Sequence, residues 1–192
     1  GFSPVYISDT TLAYIATFGG FQNIYLLNLN SKKMTQMTDF PDKRIVHSLY
    51  YDNKDSRIIF DYTFNHFRDI AYYDISTDKL SKMISNPWDE RSVVQNYENL
   101  IYSDDETGIF NLVSVNKASG EKKFITNVTG GAFMPDANSR GQILYSLFEN
   151  GKYSIALLDS MDETDPPILR DRLFILSPPI EIGISGEKQR YA

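Results

Sequence analysis

The sequence has no cysteine. Disulfide frameworks and thiolate metal sites are therefore excluded, a composition that suits the cytoplasm and the periplasm equally. It also has few helical signals: no Ala-, Leu- and Glu-rich stretch of helical length occurs. No run approaches the roughly 18 apolar residues of a membrane span, so no membrane insertion is expected in this segment. Basic clusters are missing too. The net charge is −6 and no group of Lys or Arg is dense enough to hold a phosphate backbone, so nucleic acid is not an expected partner. The chain starts at Gly1-Phe2-Ser3-Pro4 with no initiator Met and no leader. A fragment or a processed chain is expected on that ground, with any targeting segment lost.

Catalytic signatures are absent as well. The sequence contains no Gly-x-Ser-x-Gly elbow, no Walker loop, no His-Glu-x-x-His and no dinucleotide glycine motif. Only His47 and His66 could serve a transition metal, and nothing brings them to ligand spacing. The adjacent carboxylates Asp104, Asp105 and Glu106 fall in a hairpin turn that explains them without acid–base work or a calcium ion. Asn127-Val128-Thr129 fits the glycosylation pattern, which is short and common. Neither a catalytic residue nor a cofactor is expected.

What the chain does have is aromatic residues, 14% of 192, mostly Tyr and Phe. These suit pleated, half-buried strands. It also has a repeat. Asn23-Ile24-Tyr25-Leu26-Leu27-Asn28 returns as Asp69-Ile70-Ala71-Tyr72-Tyr73-Asp74, as Asn111-Leu112-Val113-Ser114-Val115-Asn116, and as Ser154-Ile155-Ala156-Leu157-Leu158-Asp159. A second phrase precedes each copy: Leu12-Ala13-Tyr14-Ile15, Ile58-Ile59-Phe60-Asp61, Leu100-Ile101-Tyr102-Ser103 and Ile143-Leu144-Tyr145-Ser146. Both phrases keep the same steps of 46, 42 and 43 residues, from 12 to 58, 100 and 143. A shared irregular period marks a repeat protein.

Each unit reads as strands A to D, with A opening at Val5, Val46, Val93 and Ala132 and D following the first three copies. Asn, Asp and Gly occupy the turns, as in Asp52-Asn53-Lys54-Asp55 and Glu149-Asn150-Gly151, where tight hairpins need φ > 0. Units of about 40–45 residues with four strands are propeller blades. A β-sandwich with similar strand spacing would not need matched phrases. The expected fold is an all-β propeller of four-stranded antiparallel blades, about four in this chain, within a larger ring if more blades exist. The expected blades are 1–42, 43–89, 90–131 and 132–160. Residues 161–192, with Pro166-Pro167 and Pro178-Pro179, read as a Pro-rich linker or a tail that completes the last blade.

Phe133-Met134-Pro135-Asp136 followed by Gly141-Gln142-Ile143-Leu144-Tyr145-Ser146 resembles the repeat of TolB-type propellers. So does Tyr102-Ser103-Asp104-Asp105-Glu106-Thr107-Gly108 before Ile109-Phe110-Asn111-Leu112. Met37-Thr38 and Ile125-Thr126 are similar to that family's Leu-Thr strand ending. The aromatic-x-Pro-Asp element is clear only in the fourth unit. The resemblance covers roughly residues 1–160 and implies a bacterial periplasmic or envelope-associated setting.

In a propeller, the D-to-A and B-to-C loops project from one face. There the sequence places Phe18, Phe21, Phe40, Phe64, Phe67 and Trp88, with His47 and His66 nearby. Such aromatics either fold inward to cap the blade cores or stand out as anchors for a partner. Trp88, the sole Trp, is the leading anchor candidate. The function expected is a non-enzymatic module that binds a protein or peptide through this face. The alternative is an accessory propeller of a larger hydrolase, of the prolyl-oligopeptidase or tricorn-like kind, with its catalytic domain in further parts of the same polypeptide. A carbohydrate-cleaving propeller would need carboxylates converging on the channel.

Overall fold

The computed structural model describes residues 1–166; the expected linker or tail beyond Pro166 lies outside the described residues. Among the described residues fifteen strands form four antiparallel sheets. Blade 1 holds β1 (Phe2–Ser8), β2 (Thr11–Phe18), β3 (Phe21–Asn28) and β4 (Met34–Gln36). Blade 2 holds β5 (Ile45–Asp52), β6 (Arg57–Phe64), β7 (Phe67–Asp74) and β8 (Lys79–Ile84). Blade 3 holds β9 (Glu90–Asn96), β10 (Asn99–Asp104), β11 (Asn111–Asn116) and β12 (Lys122–Phe124). Blade 4 has three strands among the described residues, β13 (Ala132–Ala137), β14 (Ile143–Glu149) and β15 (Lys152–Leu158). Each sheet is a meander, and the fold is an all-β propeller.

Two polar devices recur in the first three blades. The first explains the Asn or Asp that closes their third strands. Asn28 Oδ1 accepts the backbone N–H groups of Asn30 and Ser31, Asp74 Oδ1 those of Ser76 and Thr77, and Asn116 Oδ1 those of Ala118 and Ser119. These are Asx turns, and they fix the third-to-fourth strand hairpin. The second device explains the strand-ending Thr. Buried Thr126 Oγ1 accepts the Leu112 N–H at 2.8 Å and donates to Asn111 Oδ1 at 2.9 Å, which also accepts the Val128 N–H. Thr38 does the same with Ile24 and Asn23 in blade 1, and Asn23 Oδ1 also accepts the Phe40 N–H at 2.8 Å. In blade 2 the latch is Ser85 Oγ donating to Asp69. In blade 4 the matching residue, Ser154, is exposed.

The core lies between blades, not within them. One cluster joins the face of blade 1 carrying Ala13, Ile15 and Ile24 to the face of blade 2 carrying Ile58, Phe60 and Tyr62. A second joins Ile59 and Ile70 to Leu100, Tyr102 and Val113. A third joins Ile101 and Leu112 to Ile143 and Tyr145. Each blade thus has a leading face, turned to the next blade, and a trailing face, turned to the previous one. The first strands of successive blades also lie against one another, β1 on β5, β5 on β9 and β9 on β13, on the axial side of the arc.

Those first strands share an irregularity. Register slips between Phe2 and Val5, between Val46 and Ser48, opposite the stretch Ile101 to Ser103, and between Phe133 and Asp136. Ser3, Ser92 and Met134 sit in these bulges at φ of 50°, 55° and 50°. The structure also corrects the repeat pattern. By register, Phe2-Ser3-Pro4 occupies the place of Phe133-Met134-Pro135, since Phe2 pairs with Ile15 as Phe133 pairs with Ser146. The aromatic-x-Pro element is therefore present in blade 1 too, with Val5 in place of the Asp. Pro is tolerated there because the bulge frees its position from the ladder.

Candidate functional site

The second-to-third strand hairpins of blades 1 and 2 are built alike. Phe18 pairs directly with Phe21 across Gly19-Gly20, and Phe64 pairs with Phe67 across Asn65-His66. Gly19 and Gly20 have φ of 60° and 86°, the left-handed pair that a two-residue hairpin turn requires. The four rings are exposed, Phe18 at 53%, Phe21 at 38%, Phe64 at 43% and Phe67 at 42%. Among the described residues blade 2 has a neighbour on both sides and blade 1 on one, yet the exposures are similar. The rings stand out because they lie at hairpin tips. His66 is exposed within the second tip.

The other sequence-chosen residues are placed differently. Phe40 is not on this surface. It is buried in the cluster between blades 1 and 2, 6.1 Å from Phe60, because Asn23 holds its backbone inward. Trp88 is half-buried in the loop before β9, with Lys122 Nζ 5.5 Å from its ring centroid. Lys122 is held there by Asp104 and Glu106, both at 2.7 Å. Two of the three adjacent carboxylates thus anchor a lysine over an indole. Asp105 accepts the Asp89 N–H at 2.9 Å. Among the described residues no group of three or more His, Cys, Asp or Glu is placed to hold a metal ion.

His47 lies apart from the hairpin tips, in the β5 bulge. With Ser48, Arg68, Ser92, Met134 and Pro135 it lines a depression of about 370 Å³ on the axial side of blades 2 to 4. Burial and the Arg68 charge hold its imidazole below the usual range, so it is neutral at pH 7, with Nε2 2.8 Å from Thr63 Oγ1. Arg68 is neutralised by fully buried Asp61, which also accepts the Ser48 hydroxyl. Asp89 ties the blades together here, accepting the Arg68 N–H at 3.0 Å and Arg91 Nη2 at 2.6 Å. Leu49, Tyr50, Val93 and Val94 also line it, so the mouth is largely apolar with its polar groups charge-balanced, and Met134 is exposed at its rim.

Sequence reasoning missed Arg44, Arg68 and Met134. Arg44 is gripped by Asp42 through two bonds of 2.8 and 2.6 Å, and its guanidinium lies 4.4 Å from Phe40 and 5.2 Å from Phe64. The signal was present in the Asp42-x-Arg44 spacing before an aromatic strand. Met134 could have been found from its place in the aromatic-x-Pro element.

The fold has known counterparts. The chain matches TolB from Acinetobacter baumannii with a TM-score of 0.69 at 18% identity, over 85% of this chain and 42% of that one. It matches a putative TolB from Agrobacterium tumefaciens with a TM-score of 0.69 at 14% identity, over 81% and 59%. The likeness is one of fold. A puromycin-hydrolyzing peptidase of Mycobacterium tuberculosis also aligns, with a TM-score of 0.54 at 14% identity, over 76% of this chain and 25% of that one. The chain spans less than two thirds of the length of each of these proteins. No protein-family model and no curated protein matches the sequence.

Proposed function

We propose that this chain is a non-enzymatic, TolB-like interaction module of a bacterial periplasmic or envelope-associated protein. In this reading the hairpin face of blades 1 and 2 grips a protein or peptide partner. The observation that supports it is the pair of Phe-x-x-Phe tips, four exposed rings at equivalent hairpins of two successive blades, with similar exposure in both. Exposed aromatic rings with two side-chain torsions give large contact area at low entropy cost, and they are common interface anchors. The axial depression, apart from the tips, adds His47, neutral at pH 7, and the charge-balanced Arg68 as further hydrogen-bonding groups. The envelope setting rests on the resemblance to TolB-type repeats.

The test is capture of partners from an envelope extract by the wild-type chain, by Phe18→Ala/Phe67→Ala and by Trp88→Ala. Loss in the double Phe variant, with Trp88→Ala retaining capture, is expected. Equal capture by wild type and the Phe variant rejects the reading. The likeness to a peptidase sustains a second reading, an accessory propeller of a larger hydrolase. It is distinguished by a polypeptide in which a nucleophile-bearing domain follows or precedes these blades.

A further inference from the structure

Where blade 3 begins, against blade 2, the chain buries more carboxylate than nearby cations balance. Glu90, the first residue of β9, lies directly opposite Asp104 of β10, and both are fully buried. Residues paired in this way have Cβ atoms about 5 Å apart. Blade 2 brings up buried Asp69, which accepts the Ser85 and Tyr62 hydroxyls and has the exposed Lys82 3.8 Å away. Tyr102, on β10, adds a buried phenol. The nearby cation, Lys122, is already bonded to Asp104 and Glu106 at 2.7 Å each, and Arg91 on Glu90's own strand is bonded to Asp89. Glu90 Oε1 accepts Asn86 Nδ2 at 2.7 Å, while Oε2 has no partner among the described residues. An ionised carboxylate in such a place costs far more than the neutral acid, so Glu90 keeps its proton.

We infer that the loop of residues 85–89 is a proton-gated flap: it is shut while Glu90 is neutral, and it swings out to expose Trp88 when Glu90 ionises. None of these five residues belongs to a strand, so the loop opens without dismantling a sheet. Its ties are few. Ser85 reaches Asp69, Asn86 reaches Glu90, and Asp89 joins its own N–H to Asp105 and accepts the N–H of Arg68. Trp88 Nε1 is buried without a hydrogen-bond partner, so the indole gives up none on leaving. Opening lets water reach Glu90 and relieves its repulsion with Asp104. The closed loop binds the Glu90 proton up to about pH 8, whereas a hydrated Glu releases it near 4.5. Closure is therefore fully favoured below pH 4.5 and loses ground as pH rises toward 8. The inference is independent of the hairpin-tip reading.

The test is hydrogen exchange by NMR on the 192-residue chain from pH 5 to 9, with circular dichroism to confirm the fold. The reporters are the indole N–H of Trp88, the sole Trp, and the amide of Asp89; the amides of Ile70 and Leu112 report the core. After correction for intrinsic rates, loop protection should fall by about tenfold per pH unit up to pH 8, level off above it, and lie below core protection throughout. Glu90→Gln, which has no proton to release, should flatten that slope. Three results overturn the inference: loop protection that does not change with pH, a slope that Glu90→Gln retains, or loop and core protection that are equal. In the last case Glu90 acts on global unfolding alone. The wild-type series decides by itself if the variant fails to fold.

Discussion

Ile70 and Ile155 are the same residue at the same repeat position, one sealed between blades 2 and 3 and the other on the open side of blade 4. Blade 2 has its fourth strand, its Asp69–Ser85 latch and a packed neighbour on each face. Blade 4 has three described strands, an exposed Ser154 where the latch begins, and one packed face. The repeat phrase therefore specifies a strand, while its energetic value comes from the blade beside it. Truncation should show this most sharply. Ile70→Ala is expected to cost about 2–5 kcal/mol by chemical denaturation, whereas Ile155→Ala should stay within about 0.5 kcal/mol. Equal losses at the two sites would break the contrast.

The latch sharpens the same comparison. Thr126→Val keeps the shape of a buried side chain but strips Asn111 and the Leu112 N–H of a partner. A loss of about 1–3 kcal/mol is expected, against no measurable change for Ser154→Ala.

Acidity separates the interior from the surface in sign. Glu90 is fully buried at the start of blade 3 and held by Asn86, and burial raises its carboxyl to about 8. The folded protein keeps that proton while the unfolded chain loses it near 4.5. Its stabilising effect is complete below pH 4.5 and falls as pH rises toward 8, by up to about 1.4 kcal/mol per pH unit. Glu90→Gln should flatten that slope in denaturation curves measured from pH 5 to 8. Asp74, half-buried in its Asx turn near the surface, is lowered to about 2 by its bonds to Ser76 and Thr77. Its effect is present above pH 3.8 and fades as pH falls through 2, so Asp74→Asn should alter only the acid limb. The effect at the hairpin tips should also be small. Phe18→Ala and Phe67→Ala should shift stability by less than about 1 kcal/mol, because the rings are already in water.

The strands and their period were legible because side-chain alternation and turn chemistry are local and recur. The Asn and Asp that close each copy were visible as punctuation, and the structure shows those of the first three copies as acceptors for the next turn. The candidate site was legible in part. Phe18, Phe21, Phe64 and Phe67 were found, but nothing in a list of loop aromatics separates them from Phe40. That distinction depends on Asn23, 17 residues away, accepting the Phe40 N–H. Trp88 looked like the leading anchor by rarity alone, and its half-burial under Lys122 arises from blade 3's outer strand. The axial mouth was hidden because a bulge in blade 2 falls one step from those in the other blades.

The latch also has a kinetic side. It joins residues only 15 apart, Asn23 to Thr38 and Asn111 to Thr126, so the loop it closes is short and its entropic toll small. Blades 1 and 3 can therefore set their own hairpins before any neighbour arrives, as expected of chains dominated by near-neighbour contacts. Blade 4 has no such internal clasp among its described residues and orders only when it lands on blade 3. In a refolding experiment its amides should be the last to gain protection and, at equilibrium, the first to exchange.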